Sequence, residues 1–209
     1  MGIETRTEIM AWRRLERLRL IQARMALTAE ERIAASAAIC NQLQTLLGSP
    51  LGQCISAYWP LRGEPDLREL LRSLHARGMQ CALPLVVEKG QPLAFREWTP
   101  GCVMARGVWD IPYPAEGAFV TPDIALAPVV GFDRQCYRLG YGGGYFDRTL
   151  AALRPQPRVI GVGYEVAALA TIYPLPHDIP MECIVTDRRV LQPEAALCLR
   201  GTGGGGLRP

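Results

Sequence analysis

Residues 123–148 read DIALAPVVGFDRQCYRLGYGGGYFDR. Three patterns follow one another in this stretch. An apolar run over 123–130, bounded by proline and glycine, has the length and composition of a buried strand. A glycine-rich segment comes next, with Gly140, Gly142, Gly143 and Gly144 filling four of five positions. Residues 145–153 then carry a helical pattern. Glycine loops at strand-to-helix junctions bring backbone amides close to phosphate oxygens, and the helix N-terminus supplies further donors. Each fixed glycine costs roughly 0.5–1 kcal/mol relative to alanine, and one glycine is enough for a tight turn. The spacing therefore predicts a phosphate-binding loop. It is neither a G-x-x-x-x-G-K-[ST] nor a G-x-G-x-x-G pattern, so the glycines alone name no nucleotide. Asp147 falls in the first helical turn, where the dipole favours a carboxylate by ~0.3–1 kcal/mol. Beside a polyphosphate it would repel, unless Mg²⁺ lay between them. Arg138 and Arg148 flank the loop with positive charge.

Outward from this unit, strands and helices alternate. Residues 8–26 read as a helix, with Leu15, Leu18, Ile21 and Met25 spaced by three or four. Thr28 and Glu31 form a capping-box pattern that opens a second helix over 29–47, stopped by Gly48-Ser49-Pro50. Residues 53–59, 79–83, 94–98, 158–163 and 183–186 are further strand candidates. Asp66 is placed to cap a helix running to Arg77, with Gly78 closing it. The pattern predicts a single α/β domain over 1–200, with a mostly parallel sheet flanked by helices and an N-terminal helical pair. Residues 201–209 hold four consecutive glycines and read as a disordered tail.

Composition narrows the class. Hydrophobic residues at 49% and charged residues at 21% exclude an intrinsically disordered chain. A net charge of +3 and an aromatic content of 7% give no case for a nucleic-acid partner. The charge is uneven, because Arg13, Arg14, Arg17, Arg19 and Arg24 face only Glu16 within residues 11–24. That segment is either a solvated helix face or part of a site. Seven cysteines, none spaced C-x-x-C, read as buried free thiols of a reducing compartment. Arginines interrupt the apolar stretches before residue 25, and no uncharged apolar run reaches the ~18 residues of a membrane span. The expectation is a cytoplasmic protein without membrane attachment, monomeric or a small homo-oligomer.

Residues 138–147 fit every fixed position of R-L-G-x-G-x-G-[YF]-[YF]-D. This signature resembles that of the 5-formyltetrahydrofolate cyclo-ligase (methenyltetrahydrofolate synthetase) family. Weaker likenesses run along the chain in order: residues 58–66 (YWPLRGEPD), 111–114 (IPYP), 128–133 (PVVGFD), and His177-Asp178 followed by Ile184-Val185-Thr186. The resemblance implies ATP-dependent conversion of 5-formyltetrahydrofolate to 5,10-methenyltetrahydrofolate, with release of ADP and phosphate. It implies ATP and a reduced folate as ligands, and Mg²⁺ as the metal. Arg138, Leu139, Gly140, Tyr141, Gly142, Gly143, Gly144, Tyr145 and Phe146 match the ATP loop, and Arg13, Arg14 and Arg17 match the basic motif on the phosphates. Arg138 and Asp147 are the catalytic candidates, and Asp147 and Asp178 the metal carboxylates. Glu64, Trp109 and Tyr145 would contact the folate, with Trp109 either stacking on a flat ring or filling the core.

The chain departs from the family pattern at Arg13, where lysine is usual, and at Glu16. Cys136 replaces a common glycine, and the stretch around Val166 lacks a common glutamine. Two alternatives stay open. A sugar-phosphate isomerase-like or CoA-transferase-like enzyme would use the same sheet and loop without needing Asp147 and Asp178 together. A non-catalytic or altered-specificity paralogue would bind folate or nucleotide alone.

Overall fold

Two capping boxes start the first two helices. Thr5 and Glu8 cap α1 (Arg6–Ala26), and Thr28 and Glu31 cap α2 (Ala29–Leu47). Thr28 Oγ1 accepts from the Glu31 amide at 3.1 Å, and Glu31 Oε2 accepts from the Thr28 amide at 2.7 Å. That reciprocal pair is what the pattern at 28–31 predicts. The helix expected from residue 8 begins at Arg6, because Thr5 and Glu8 form a box of their own. The computed structural model describes residues 5–48 and 52–193. The expected tail at 201–209 lies outside the described residues.

The apolar spacing on α1 misleads about which face is inside. Leu15, Leu18 and Met25 are exposed, whereas Arg13, Leu20 and Arg24 are buried. Residues 13, 17, 20 and 24 share the inward stripe, also spaced by three or four. Carbonyl and carboxylate partners inside the molecule make that arginine face the buried one, as the contacts below show.

The chain continues through β1 (Cys54–Ser56), α3 (Arg68–Ala76), β2 (Gln80–Leu85), β3 (Ala94–Trp98), β4 (Met104–Arg106), β5 (Pro112–Pro114) and β6 (Phe119–Val120). There follow β7 (Ile124–Pro128), β8 (Gly131–Phe132), β9 (Arg138–Leu139), α4 (Tyr145–Ala152), β10 (Arg158–Val162), β11 (Cys183–Val185) and β12 (Val190–Leu191). Eight strands form one sheet in the order β12-β11-β10-β7-β1-β2-β3-β6. The five from β11 to β2 are parallel. Antiparallel strands complete both edges, β12 on one side and β3 with β6 on the other. β4 with β5 and β8 with β9 form separate antiparallel pairs.

The expected cap of α3 shifts by a residue. Leu67 holds the cap position without a side-chain bond, and Asp66 Oδ1 accepts from the Arg68 amide at 3.0 Å. On one face of the sheet, Ile55, Leu126, Ile160 and Val185 share a core with Ile39 and Leu43 of α2 and Leu70, Leu71 and Leu74 of α3. On the other, Ala127, Val159 and Ile184 meet Phe146 and Leu150 of α4. Strands buried on both faces read as continuous apolar runs, which is why the central strands were visible in the sequence. Full burial of each such leucine or isoleucine contributes about 1.5–3 kcal/mol, which holds the strand ends fixed beneath the site.

Candidate active site

The chain reverses its direction of travel across the sheet between β1 and β7. β2 lies beyond β1 on one side, and β10 and β11 follow β7 on the other. At such a switch point the loops leaving the strand carboxyl ends diverge and leave a crevice. Here the crevice is a cavity of about 440 Å³. Tyr58 and Trp59 after β1, Leu85 and Val86 at the end of β2, and Pro128 of β7 stand in its wall. Met10, Arg13 and Arg17 close it from α1, and residues 138–147 line it continuously.

The loop needs its glycines for separate reasons. Gly144 is the N-cap of α4 in the left-handed conformation, with φ of 64° and no side-chain cap on the helix amides. Gly140 lets Arg138 pass: a Cβ built there would lie 2.4 Å from Arg138 Nη1. Arg138 is buried, and its Nη2 donates to Asp147 Oδ2 at 3.0 Å. Its guanidinium lies 5.0 Å from the Phe146 ring centroid. Its buried Nε has no hydrogen-bond partner among the described residues. Burial pulls the Arg138 pKa below its ordinary value, and Asp147 opposes that pull. Gly140→Ala should push Arg138 off Asp147. Since a misplacement of about 1 Å can cost 10²-fold, steady-state kinetics should show a loss of about that size in kcat/KM, with the far-ultraviolet circular dichroism unchanged. Parent-like kinetics would show that the Arg138 geometry is not needed.

Of the N-terminal arginines, two reach the cavity. Arg13 donates from Nε to the Ile172 carbonyl at 2.9 Å and pairs with Asp178 at 2.5 Å. Arg17 donates to the Gly140 carbonyl at 2.7 Å. Burial lowers the Arg17 pKa, and neighbouring Arg13 adds to this. Arg14 is exposed and stands outside the cavity, since one residue on a helix turns the side chain by about 100°. The structure thus places Arg14, among the expected phosphate ligands, on the solvent face.

Asp147 and Asp178 both line the cavity, each held by an arginine. Asp178 Oδ2 also accepts from the Leu175 amide at 2.6 Å. Burial works to raise the Asp178 pKa, but the Arg13 and Leu175 hydrogen bonds outweigh it and hold the carboxyl low. Asp147 engages Arg138 through Oδ2 alone; Oδ1 has no protein partner among the described residues. No group of three or more His, Cys, Asp or Glu among the described residues gathers as a metal-binding set.

Glu64 is buried at the end of a tight turn. The Glu64 amide donates to the Leu61 carbonyl at 3.1 Å, and the central residues Arg62 and Gly63 have φ of 47° and 72°. Glu64 accepts from Tyr141 Oη and from the Leu61 amide, both at 2.8 Å. Burial pushes its carboxyl up, against Arg24 and these two bonds. Trp109 is 62% exposed, so it is not a core tryptophan. It sits at the tip of the β4–β5 hairpin in a left-handed conformation, edge-on to Tyr145 with ring centroids 5.5 Å apart. Cys136, standing where a glycine is usual, has φ of 60° and keeps a glycine-like turn between β8 and β9.

Comparison with known proteins decides among the alternatives. The sequence model of the 5-formyltetrahydrofolate cyclo-ligase family matches residues 9–187. The chain belongs to this family. A cyclo-ligase of Mycolicibacterium smegmatis is 32% identical over 147 residues, 66% of this chain and 75% of that one. One from Escherichia coli is 26% identical over 178 residues, covering 81% and 97%. The solved structure of a 5,10-methenyltetrahydrofolate synthetase from Aquifex aeolicus superposes with a TM-score of 0.75 at 27% identity, over 94% of this chain and 96% of that one. The isomerase-like and CoA-transferase-like alternatives fall away, and the cyclo-ligase assignment makes the chain a ligase of folate metabolism. No helix among the described residues is long and apolar enough to cross a membrane.

Arg24 was not among the expected site residues. Its Nη2 donates to Tyr141 Oη at 2.5 Å, and its Nε to the Arg62 carbonyl at 2.9 Å. The signal was present in the spacing of Arg13, Arg17 and Arg24 along one helical stripe.

Proposed function

We propose that this cyclo-ligase uses ATP to convert 5-formyltetrahydrofolate to 5,10-methenyltetrahydrofolate, ADP and phosphate, in the cavity described above. The observation that carries the reading is the joining, in one cavity, of two half-sites. One is a glycine loop with an uncapped helix N-terminus and three arginines, suited to a triphosphate. The other is an aromatic wall with a single buried carboxylate, suited to a flat ring with N–H donors.

The backbone of Gly140–Gly144 and the guanidinium groups of Arg13 and Arg17 hold the phosphates. Glu64 accepts from the amide-like edge of the pterin, and Trp109 and Tyr145 flank its ring. The formyl oxygen attacks the terminal phosphorus of ATP, and ADP leaves. N10 then attacks the activated formyl carbon, and phosphate departs with the former formyl oxygen as the N10 proton is lost. An amide-like oxygen is a poor leaving group, and phosphorylation makes it a good one. The enzyme's share is positioning and charge stabilisation. Arg138 supplies a buried, fixed positive charge beside the loop at which the phosphoryl group moves.

Asp147, whose Oδ1 has no protein partner among the described residues, would hold Mg²⁺ together with phosphate oxygens. When bound, the ion neutralises charge on the phosphates during transfer. Asp178 fixes Arg13 beside the phosphates, and its carboxylate would be the second candidate to hold the ion.

The route of the oxygen tests the reaction. With heavy oxygen in the formyl group, each phosphate released should carry a heavy atom, as read by mass spectrometry. Unlabelled phosphate accompanying methenyl formation would rule out phosphorylation at the formyl oxygen.

A further inference from the structure

We propose that Arg24 is a positioning residue for the folate site: it holds the buried Glu64 carboxylate in place and favours its charged form. The inference rests on the reading of Glu64 as the acid that accepts from the folate. Arg24 lies in the last turn of α1 and is 4% exposed. Its guanidinium has three separate tasks. Nε donates to the carbonyl of Arg62, the non-glycine residue held at φ of 47° in the turn that presents Glu64. Nη2 donates to Tyr141 Oη, which in turn donates to Glu64 Oε1 at 2.8 Å. Nη1 is buried without a hydrogen-bond partner among the described residues and lies 4.0 Å from the same Glu64 oxygen. It therefore acts on the carboxylate as a charge at short range, in a setting where water does not screen it.

The other groups around Glu64 cannot replace that charge. Tyr141 comes from the glycine loop and Tyr58 from the segment after β1; burial pushes both phenols up, so both are neutral near pH 7. Tyr164, shifted upward by burial, donates to the neighbouring Gly63 carbonyl at 3.1 Å. Arg32 of α2 approaches Gly63, but its guanidinium donates to the Leu27 carbonyl. Arg24 is thus the cation that opposes the burial of Glu64. Without it, no cation among the described residues stands within 4.0 Å of Glu64 to oppose burial. The Glu64 pKa then rises further, and the carboxylate is lost as pH falls through the raised value. A protonated Glu64 has one fewer acceptor for the pterin edge.

The test is the pH profile of KM for 5-formyltetrahydrofolate in the parent, Arg24→Gln, Arg24→Lys, Glu64→Gln and the Arg24→Gln/Glu64→Gln double variant. The parent KM should begin to climb only at a lower pH than that of Arg24→Gln. In Arg24→Gln it should climb as pH falls, approaching about tenfold per pH unit below the new Glu64 pKa, while kcat at saturating folate changes much less. The double variant should have a raised KM with no pH dependence. Arg24→Lys keeps the charge but not the fork, so its profile should return toward the parent while KM stays raised. A variant that merely loses stability would lower the melting temperature and leave the profile where it was. That profile in Arg24→Gln, with Glu64→Gln still raising KM, overturns the positioning role alone. An unchanged folate KM in Glu64→Gln sinks the folate reading of Glu64 itself. If Arg24→Gln proves insoluble, Arg24→Lys carries the test, and a parent-like KM in it contradicts the proposal.

Discussion

Asp147→Asn should lower turnover by about 10²–10⁴, with folate affinity nearly unchanged. Asparagine keeps the size and a hydrogen-bond acceptor for Arg138, so the loop geometry survives. The negative charge is lost, and with it the oxygen best placed for Mg²⁺. Arg138 is buried and pairs with Asp147 at 3.0 Å. Neutralising Asp147 therefore leaves a buried cation less well compensated, and some loss of stability should accompany the loss of turnover. The two effects separate by experiment. Turnover is read at saturating substrates and rising Mg²⁺, and stability by thermal melting. Asp178→Asn should act mainly through Arg13 and appear in KM for ATP. The double variant should lose less than the product of the two single losses, if both residues serve the one phosphate site proposed above. Parent-like turnover in Asp147→Asn, with the same Mg²⁺ dependence, would remove Asp147 from the metal and the chemistry.

Arg13→Gln should give the largest loss of stability of any single arginine change on α1. Arg13 and Asp178 are 4% and 7% exposed, and breaking a buried pair from one side costs about 3–5 kcal/mol. For a domain of this length each kcal/mol lowers the melting temperature by about 2–4 °C. The loss should depend on pH in a defined direction. The Asp178 pKa is held below its ordinary value, so the pair contributes stability above the unfolded carboxylate pKa of about 3.9. That contribution disappears as pH falls through the lower folded value. The gap in unfolding free energy between parent and Arg13→Gln should therefore narrow in acid. KM for ATP should rise in the same variant. Arg14→Gln, on the solvent face, should change stability by less than about 0.5 kcal/mol. Adding it to an Arg13/Arg17 double variant should change neither KM nor melting temperature, and a large added effect would return Arg14 to the site.

These two arginines show where sequence reading works and where it stops. The βα unit at 123–148 was legible because β7 is apolar on both faces and the glycines have no inexpensive alternative use. The capping box at Thr28 was legible because it depends on residues three apart. The face of α1 was not, because leucine periodicity ordinarily marks the buried side. Here three arginines on the opposite stripe find buried partners far along the chain, at Ile172, Asp178, Gly140, Arg62 and Tyr141. Such partners leave no local trace. The β4–β5 hairpin was missed for another reason. Its second strand reads Pro112-Tyr113-Pro114, and prolines argue against a strand unless it lies at an edge. Most of the expected site residues fall in one cavity because they come from loops at one end of the sheet. The Arg24–Tyr141–Glu64 network needed the fold, since it joins α1, the glycine loop and the turn after β1.

The most direct measurement mixes the protein with ATP, Mg²⁺ and 5-formyltetrahydrofolate and follows the near-ultraviolet absorbance of methenyltetrahydrofolate together with ADP. The absorbance should grow with time, matched by ADP mole for mole, with no growth when ATP is left out. Binding of both ATP and 5-formyltetrahydrofolate without any methenyltetrahydrofolate would contradict the proposed reaction, and would make the protein a ligand-binding relative rather than a cyclo-ligase.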